Sequence, residues 1–394
     1  MKEKIVIFTY SLGGAGAERV VANLVNNLDR NKYDIHLVLM NSEIEYEIPA
    51  NQKIHFIEKS DRYENEFLKF IKLPLLAYRL AKYVNKEKAS LVLAVMSRPN
   101  LVAGMSKTFG IRSKVLISER CYTPDIYKGN SFVGKIKVAL LKYCYPKADG
   151  ILPNSKGAIE ALQKMYHVKS EYTHVKNPTD IAKIKRLAAI PLLNEMDFKR
   201  FTFINVATFR DEKNQDLLVD AAALLKEMDF QLILVGKGES LERIKQKVSS
   251  LQLNDKVSFI DFTDNPYQYM SRSDCFLLSS LTEGFPNVLI ESLACGLPIL
   301  SVDCKSGPRE LLAPSTKIDT EIPSNEFEIA EYGILCANNC IPSLAGAMKW
   351  VLENRDKLNE YKQKGIERAN DFEIKKVCDE FSLIFDSYLK KKYQ

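Results

Sequence analysis

The sequence predicts an α/β protein built from two doubly wound domains, each a parallel sheet flanked by helices. Three observations carry that expectation. Short β-rich runs alternate with stretches of helical apolar spacing along the 394 residues, enough for two separate cores. The alternation breaks once, over 177–199, where Asn177-Pro178 and then Pro191 mark a linker. Polar or glycine-rich turns follow several of the runs, at the strand ends where such sheets take ligands.

In chain order, the first half reads as strands at 4–10, 34–40, 53–57, 91–96, 114–118 and 150–152. The opening run is too short for a signal peptide and reads as a strand. The second half has strands at 201–207, 231–235, 257–260, 275–279 and 298–302. The stretch 373–394 spaces Val377, Phe381, Ile384, Phe385 and Tyr388 as a helix does and ends in a basic tail. No apolar run approaches the ~18–20 residues that cross a bilayer.

Composition narrows the classes of function. A hydrophobic share of 46% and a charged share of 27% belong to a soluble globular chain. The net charge of +6 hides an asymmetry: residues 1–176 hold 28 basic and 17 acidic side chains, and the remainder 28 basic and 33 acidic. A basic first half invites anionic partners. Two stretches in it, 67–82 and 133–147, combine apolar spacing with Lys or Arg on the other face, as does a helix lying on anionic lipid. The plain alternative is a domain helix with a solvated basic face. No nucleic-acid recognition motif stands out, so nucleic acid is not expected as a partner. The 8 cysteines form no C-x-x-C pair, and Cys144, Cys275 and Cys295 sit in apolar runs, as buried thiols of a reducing cytoplasm do. Cys336 and Cys340 lack companions for a metal site, and no metal ligand set is expected.

The segment Glu283-Gly284-Phe285-Pro286-Asn287-Val288-Leu289-Ile290-Glu291 is the most informative in the chain. Gly284 and Pro286 make a turn, and the apolar spacing of Val288, Leu289 and Leu293 opens a short helix that Gly296 and Pro298 stop. Glu283 therefore sits in a loop, and Glu291 about two turns into the helix, at ~3.6 residues per turn. Free N–H groups at Asn287, Val288 and Leu289 would form an anion site supported by the helix dipole. A loop carboxylate for hydroxyls, a helix N-terminus for phosphate and a second carboxylate for a ribose diol suit a nucleotide sugar.

Other turns fit the same ligand. Gly13, Gly14 and Gly16 follow the first strand, where small residues let backbone N–H groups approach a diphosphate or an acceptor hydroxyl. Their spacing is not G-x-G-x-x-G, and no acid ends the second strand after Met40, so a dinucleotide dehydrogenase is disfavoured. Glu18 and Arg19 open the following helix, as a cap, a solvated pair or site residues. Arg210 and Lys213 follow the first strand of the second half, where two cations would neutralise a diphosphate and the charge that grows as it leaves. Gly236 and Gly238 shape a strand-end turn near the nucleotide.

These motifs, with Pro153-Asn154-Ser155, occur in the order found in the retaining glycosyltransferases of family 4, and the chain resembles them over nearly its whole length. The resemblance implies a GT-B fold, two Rossmann-like domains facing a cleft, with the last helix returning to the first domain. It assigns 1–176 to an acceptor-binding domain, 177–199 to the linker, 200–372 to a nucleotide-sugar domain and 373–394 to the returning helix. It places Glu283 beside the transferred sugar, Glu291 on the ribose, and Lys213 and Arg210 on the diphosphate. Gly284, Phe285, Asn287, Val288, Leu289, Gly236 and Gly238 complete the donor site. Two departures stand out. The family sets an Arg five residues before its Lys, where this chain has Thr208. Many members also carry a His in the first domain where this chain reads Ile117-Ser118-Glu119-Arg120, so Glu119 or Arg120 would take that place on the acceptor side.

Several stretches are also similar to bacterial N-acetylgalactosaminyl transferases acting on polyprenyl-diphosphate-linked glycans. These include Arg98-Pro99-Asn100, Asn265-Pro266-Tyr267 and Lys305-Ser306-Gly307. The expectation is a UDP-sugar donor, a lipid-linked or other glycolipid acceptor at the inner face of the cell membrane, and no cofactor. The chain has no Asp-x-Asp, which agrees with a metal-independent enzyme. A GT-B-like nucleotide-sugar epimerase and a non-catalytic nucleotide-binding subunit are the alternatives.

Overall fold

Parallel pairing about a central strand defines each half of the computed structural model, which describes residues 2–14, 16–58, 66–129, 131–192 and 198–390. Ala15 of the glycine-rich turn, the Phe67 side chain, part of the expected linker (193–197) and the basic tail (391–394) lie outside the described residues. The chain forms two compact units, one of Met1–Pro178 with Ile374–Gln394 and one of Thr179–Glu373.

In the first unit six strands pair in parallel: β1 (Glu3–Thr9), β2 (Tyr33–Leu39), β3 (Lys53–Phe56), β4 (Leu91–Val95), β5 (Lys114–Ser118) and β6 (Gly150–Ile151). Their order is β3-β2-β1-β4-β5-β6, so the winding reverses between β1 and β4. Ile5, Val6, Ile7 and Phe8 are all fully buried because both faces of the sheet are covered. On one face Val6 and Phe8 pack with the helices Leu73–Glu87 and Ser97–Ser106. On the other, Ile5 and Ile7 pack with the helices Gly16–Asn27 and Ile374–Lys390. The last helix inserts Val377, Phe381, Phe385 and Tyr388, the residues whose spacing marks it in the sequence.

The second unit repeats the order and extends it. Its strands are β7 (Thr202–Val206), β8 (Gln231–Val235), β9 (Val257–Ile260), β10 (Cys275–Leu278), β11 (Ile299–Val302), β12 (Phe327–Ile329) and β13 (Ile334–Cys336). They lie in the order β12-β13-β11-β10-β7-β8-β9, reversing between β7 and β10. Only β12 runs antiparallel, against β13. The sequence reading lacks β12 and β13, since three residues are too few to show a period. The expected linker is partly helical: Ile181–Ala188 forms a helix whose first turn donates from the Lys183 N–H to the Asp180 carboxylate (2.8 Å). Ile181, Ile184 and Ala188 of that helix belong to the second unit's core.

Candidate functional site

The residues singled out in the second half gather at the carboxyl ends of β7, β8 and β10, of which β7 and β10 flank the reversal. After β7 the chain runs through Ala207, Thr208 and a buried Phe209. The turn after β8 locks onto it: Phe209 N–H donates to the Lys237 carbonyl (3.0 Å), and Ser240 N–H to the Phe209 carbonyl (3.1 Å). A Cβ at Gly236 would lie 2.0 Å from the Ala207 oxygen, and one at Gly238 2.3 Å from the Phe209 oxygen, so only glycine admits this approach.

Asp211–Lys213 then makes a single 3-10 turn, and Asn214, in the left-handed region (φ 50°), redirects the chain into the helix Gln215–Leu224. The loop after β10 is tied to that turn. Ser279 Oγ donates to the Lys213 carbonyl (2.8 Å), and Leu281 N–H to the Glu212 carbonyl (2.9 Å). With both backbones fixed, Lys213 Nζ meets Glu283 Oε1 at 2.5 Å, the side chains retaining 25% and 12% of their exposure. Arg210 points to solvent, 60% exposed, with Glu212 at 3.8 Å.

Beyond Glu283 the turn is clamped from two sides. Phe285 is buried against Phe372, ring centroids 5.5 Å apart. Ser306 Oγ donates to the Gly284 carbonyl (2.7 Å). Gly307, at φ +94°, lets its loop touch Pro286, whose Cδ would stand 2.4 Å from a Cβ there. Arg309 holds that second loop: its Nε and Nη2 donate to Asp303 Oδ2 (2.8 and 2.5 Å), Nη2 also to Glu328 Oε2 (2.8 Å), and Nη1 to Thr316 Oγ1 (3.0 Å). Nearby, burial and the Glu283 charge push the Cys304 thiol up, keeping it neutral. Asn287–Ala294 is the helix that follows, with Glu291 buried on it. One expectation needs correction: Leu289 N–H donates to the Pro286 carbonyl (3.1 Å), so the expected trio of free first-turn donors is not present.

In the first unit the singled-out residues occupy the ends of β1 and β5. The Gly13-Gly14 turn leads into the helix at Gly16, and Tyr46 Oη donates to the Gly14 carbonyl (2.9 Å). Glu18 is buried and accepts from Ser11 Oγ across this turn, which gives it a structural role there. Glu119 is wholly buried: Oε2 accepts from Tyr145 Oη (2.5 Å), and Oε1 from the N–H groups of Arg120 (3.0 Å) and Cys121 (3.3 Å). Burial raises its pKa against those bonds. It braces the turn that aims Arg120. The Arg120 guanidinium donates through Nη1 to Asn177 Oδ1 (2.7 Å) and lies 5.9 Å from the Phe381 ring centroid. Its Nε and Nη2 are buried with no hydrogen-bond partner among the described residues, and burial lowers its pKa to about 10. Tyr145 and Asn177, which make this arrangement, carry no local signal, since they join Glu119 and Arg120 from 26 and 57 residues away.

Residues 14–183 match the family described as Glycosyltransferase Family 4, and residues 194–368 the one described as Glycosyl transferases group 1. A Campylobacter jejuni protein is 38% identical over 95% of this chain and 97% of its own length. It is named N-acetylgalactosamine-N,N'-diacetylbacillosaminyl-diphospho-undecaprenol 4-alpha-N-acetylgalactosaminyltransferase. The chain is a family 4 glycosyltransferase. Solved GT-B relatives confirm the fold. Anabaena HepE in complex with UDP aligns over 98% of this chain and all of its own, with a TM-score of 0.73 at 16% identity. Sucrose-phosphate synthase from Thermosynechococcus elongatus gives 0.78 at 17% identity, over 99% of this chain and all of its own.

Within this glycosyltransferase the four histidines differ in place. His36 and His55 lie on β2 and β3, beside Tyr83 of the helix Leu73–Glu87, within one structural cluster. His167 belongs to the surface around Gln163, Lys169 and Tyr172. His174 is the one near Arg120: its Nε2 lies 3.3 Å from the Asn154 carbonyl, and Asn154 Nδ2 donates to Asn177 Oδ1 (3.4 Å). Among the described residues no group of three or more His, Cys, Asp and Glu is placed to hold a metal, and no helix is long and apolar enough to cross a membrane.

Proposed function

We propose that this glycosyltransferase moves a sugar, N-acetylgalactosamine or another hexose or N-acetylhexosamine, from UDP to a polyprenyl-diphosphate-linked glycan, with retention at the anomeric carbon. One observation carries the donor half: Lys213 and Glu283 meet at the carboxyl edge where the winding reverses, one helix ahead of a buried Glu291. Lys213 would take the diphosphate, Glu291 the ribose diol and Glu283 the sugar hydroxyls. The bond from the anomeric carbon to the β-phosphate oxygen breaks, its electron pair staying on the diphosphate. The acceptor oxygen bonds the same face of that carbon, and its proton passes to the departing diphosphate. Lys213 and the helix N-terminus would lower the barrier in the place of a metal ion, so chelation is expected to leave the rate unchanged. The kind of acceptor is suggested by the relative's name.

The first unit supplies a surface for such an acceptor at a membrane. Leu68, Ile71, Leu75 and Tyr78 are exposed at helical spacing on the helices Glu66–Ile71 and Leu73–Glu87, with exposed Arg79 and Lys82 beside them. Tyr78 packs edge-on against exposed Phe109 (6.2 Å), and the neighbouring Thr108 Oγ1 lies 3.1 Å from Tyr143 Oη on the helix Phe132–Cys144. Both basic amphipathic stretches therefore border one apolar patch, which suits the anionic inner face of a cell membrane.

UDP release tests the reading, with a panel of UDP-sugars, with and without a polyprenyl-diphosphate-linked glycan, in the presence of a chelator. Release that depends on the lipid acceptor, with NMR of the product showing the donor's anomeric configuration, is the expected result. Conversion of the donor without an acceptor would replace transfer by epimerisation.

A further inference from the structure

Lys213 is not a free cation at this edge, and Glu283 is not a free carboxylate. Among the described residues Lys213 faces Glu283 at 2.5 Å and Arg210 faces Glu212 at 3.8 Å, while Lys237 of the adjoining turn lies over the Phe262 ring (4.2 Å). An incoming diphosphate therefore meets a Lys213 whose charge is already paired with Glu283. Glu283 also has little room to retreat, because Ser306 grips the Gly284 carbonyl, Gly307 abuts Pro286 and Phe285 is buried.

We propose that Glu283 is a displaceable counter-ion of Lys213 through which the enzyme distinguishes the sugar-bearing nucleotide from the spent one. This rests on the donor reading given above. When a diphosphate takes the Lys213 ammonium, the Glu283 carboxylate loses its partner and faces like charge. A sugar on the β-phosphate brings hydroxyl donors to that carboxylate and offsets the loss. After transfer the hydroxyls depart with the acceptor, the repulsion returns and Lys213 goes back to Glu283. The same side chain that contacts the transferred sugar thus weakens the hold on the product nucleotide and hastens its release.

Calorimetric titration of UDP, UDP-GalNAc and UDP-GlcNAc into wild type, Glu283→Gln and Glu283→Ala, without acceptor, tests this. Both variants should bind UDP about fivefold more tightly than wild type, which is ~1 kcal/mol at 1.4 kcal/mol per tenfold. The UDP-sugars should gain less or lose affinity, so the preference for sugar-bearing nucleotide narrows. Unchanged or weaker UDP binding in both variants, with melting curves showing them folded, would overturn the proposal while leaving the donor site standing. Equal tightening of UDP and UDP-sugar would also overturn it. Absence of binding of UDP, GDP and ADP to wild type would remove the donor reading and this inference with it.

Discussion

Glu291 and Glu283 are chemically alike, and only their positions separate the tasks proposed for them. Glu291 is buried on a helix whose backbone is set by the sheet, so its carboxylate can serve binding of a fixed diol. Glu283 stands at the loop end of the same segment against Lys213. Glu291→Ala should weaken UDP binding by ~1–3 kcal/mol, the cost of leaving a buried hydroxyl without its partner. Glu283→Gln should abolish turnover without weakening UDP binding. Titration beside initial rates separates the two, and equal, negligible effects would remove the assignment. The turn beneath them is as sensitive. Gly238→Ala places a Cβ 2.3 Å from the Phe209 oxygen and should cost ~2–3 kcal/mol in a denaturant titration.

At the scale of elements, β2, β3 and the helix Leu73–Glu87 enclose a polar cluster at the far edge of the first sheet. His36 is buried with Nδ1 3.0 Å from Tyr83 Oη, Nε2 3.3 Å from Asp34, and Lys53, Lys4 and Glu87 close by; His55 stacks on Tyr83 at 4.0 Å. Burial lowers the pKa of both histidines. The unfolded chain therefore takes up these protons first, at an ordinary imidazole pKa of about 6.5. Stability is full above that pH and falls as pH drops through it. Melting temperatures should decline between about pH 7.5 and 5.5, and His36→Gln should flatten the decline. These elements show what a sequence displays. The eleven expected strands are present, most of them as apolar runs buried on both faces, whereas β3 at the sheet edge exposes Lys53 and Ile54. β12 and β13 are too short to display a period, and the helix Ile181–Ala188 lies where prolines suggest only a linker. Glu283, Glu291 and Lys213 stand out in the sequence through short motifs read together with the resemblance to family 4 glycosyltransferases. The Glu119–Tyr145 bond, the Arg120–Asn177 bond and the Arg309 network depend on long-range partners that the winding of each sheet brings together, and local spacing does not reveal them.

Over the whole molecule, the basic residues of the first half and the exposed Leu68–Ile71–Leu75–Tyr78 row would supply the two terms of the proposed membrane contact. Vesicles containing anionic lipid should bind the protein more tightly than neutral ones, with the difference shrinking as salt rises. Ile71→Asp with Leu75→Asp should abolish co-sedimentation and leave UDP binding unchanged, because the two sites lie in separate units. On the proposed function, this family 4 glycosyltransferase would direct a UDP-linked sugar to a lipid-diphosphate glycan through the Lys213–Glu283 edge. Transfer of radiolabelled GalNAc from UDP-GalNAc into a polyprenyl-diphosphate-linked N-acetylhexosamine, by wild type and Glu283→Gln, tests it most directly. Label in the lipid fraction is expected for wild type and none for the variant. Equal labelling by both would contradict it, placing the chemistry elsewhere in the chain.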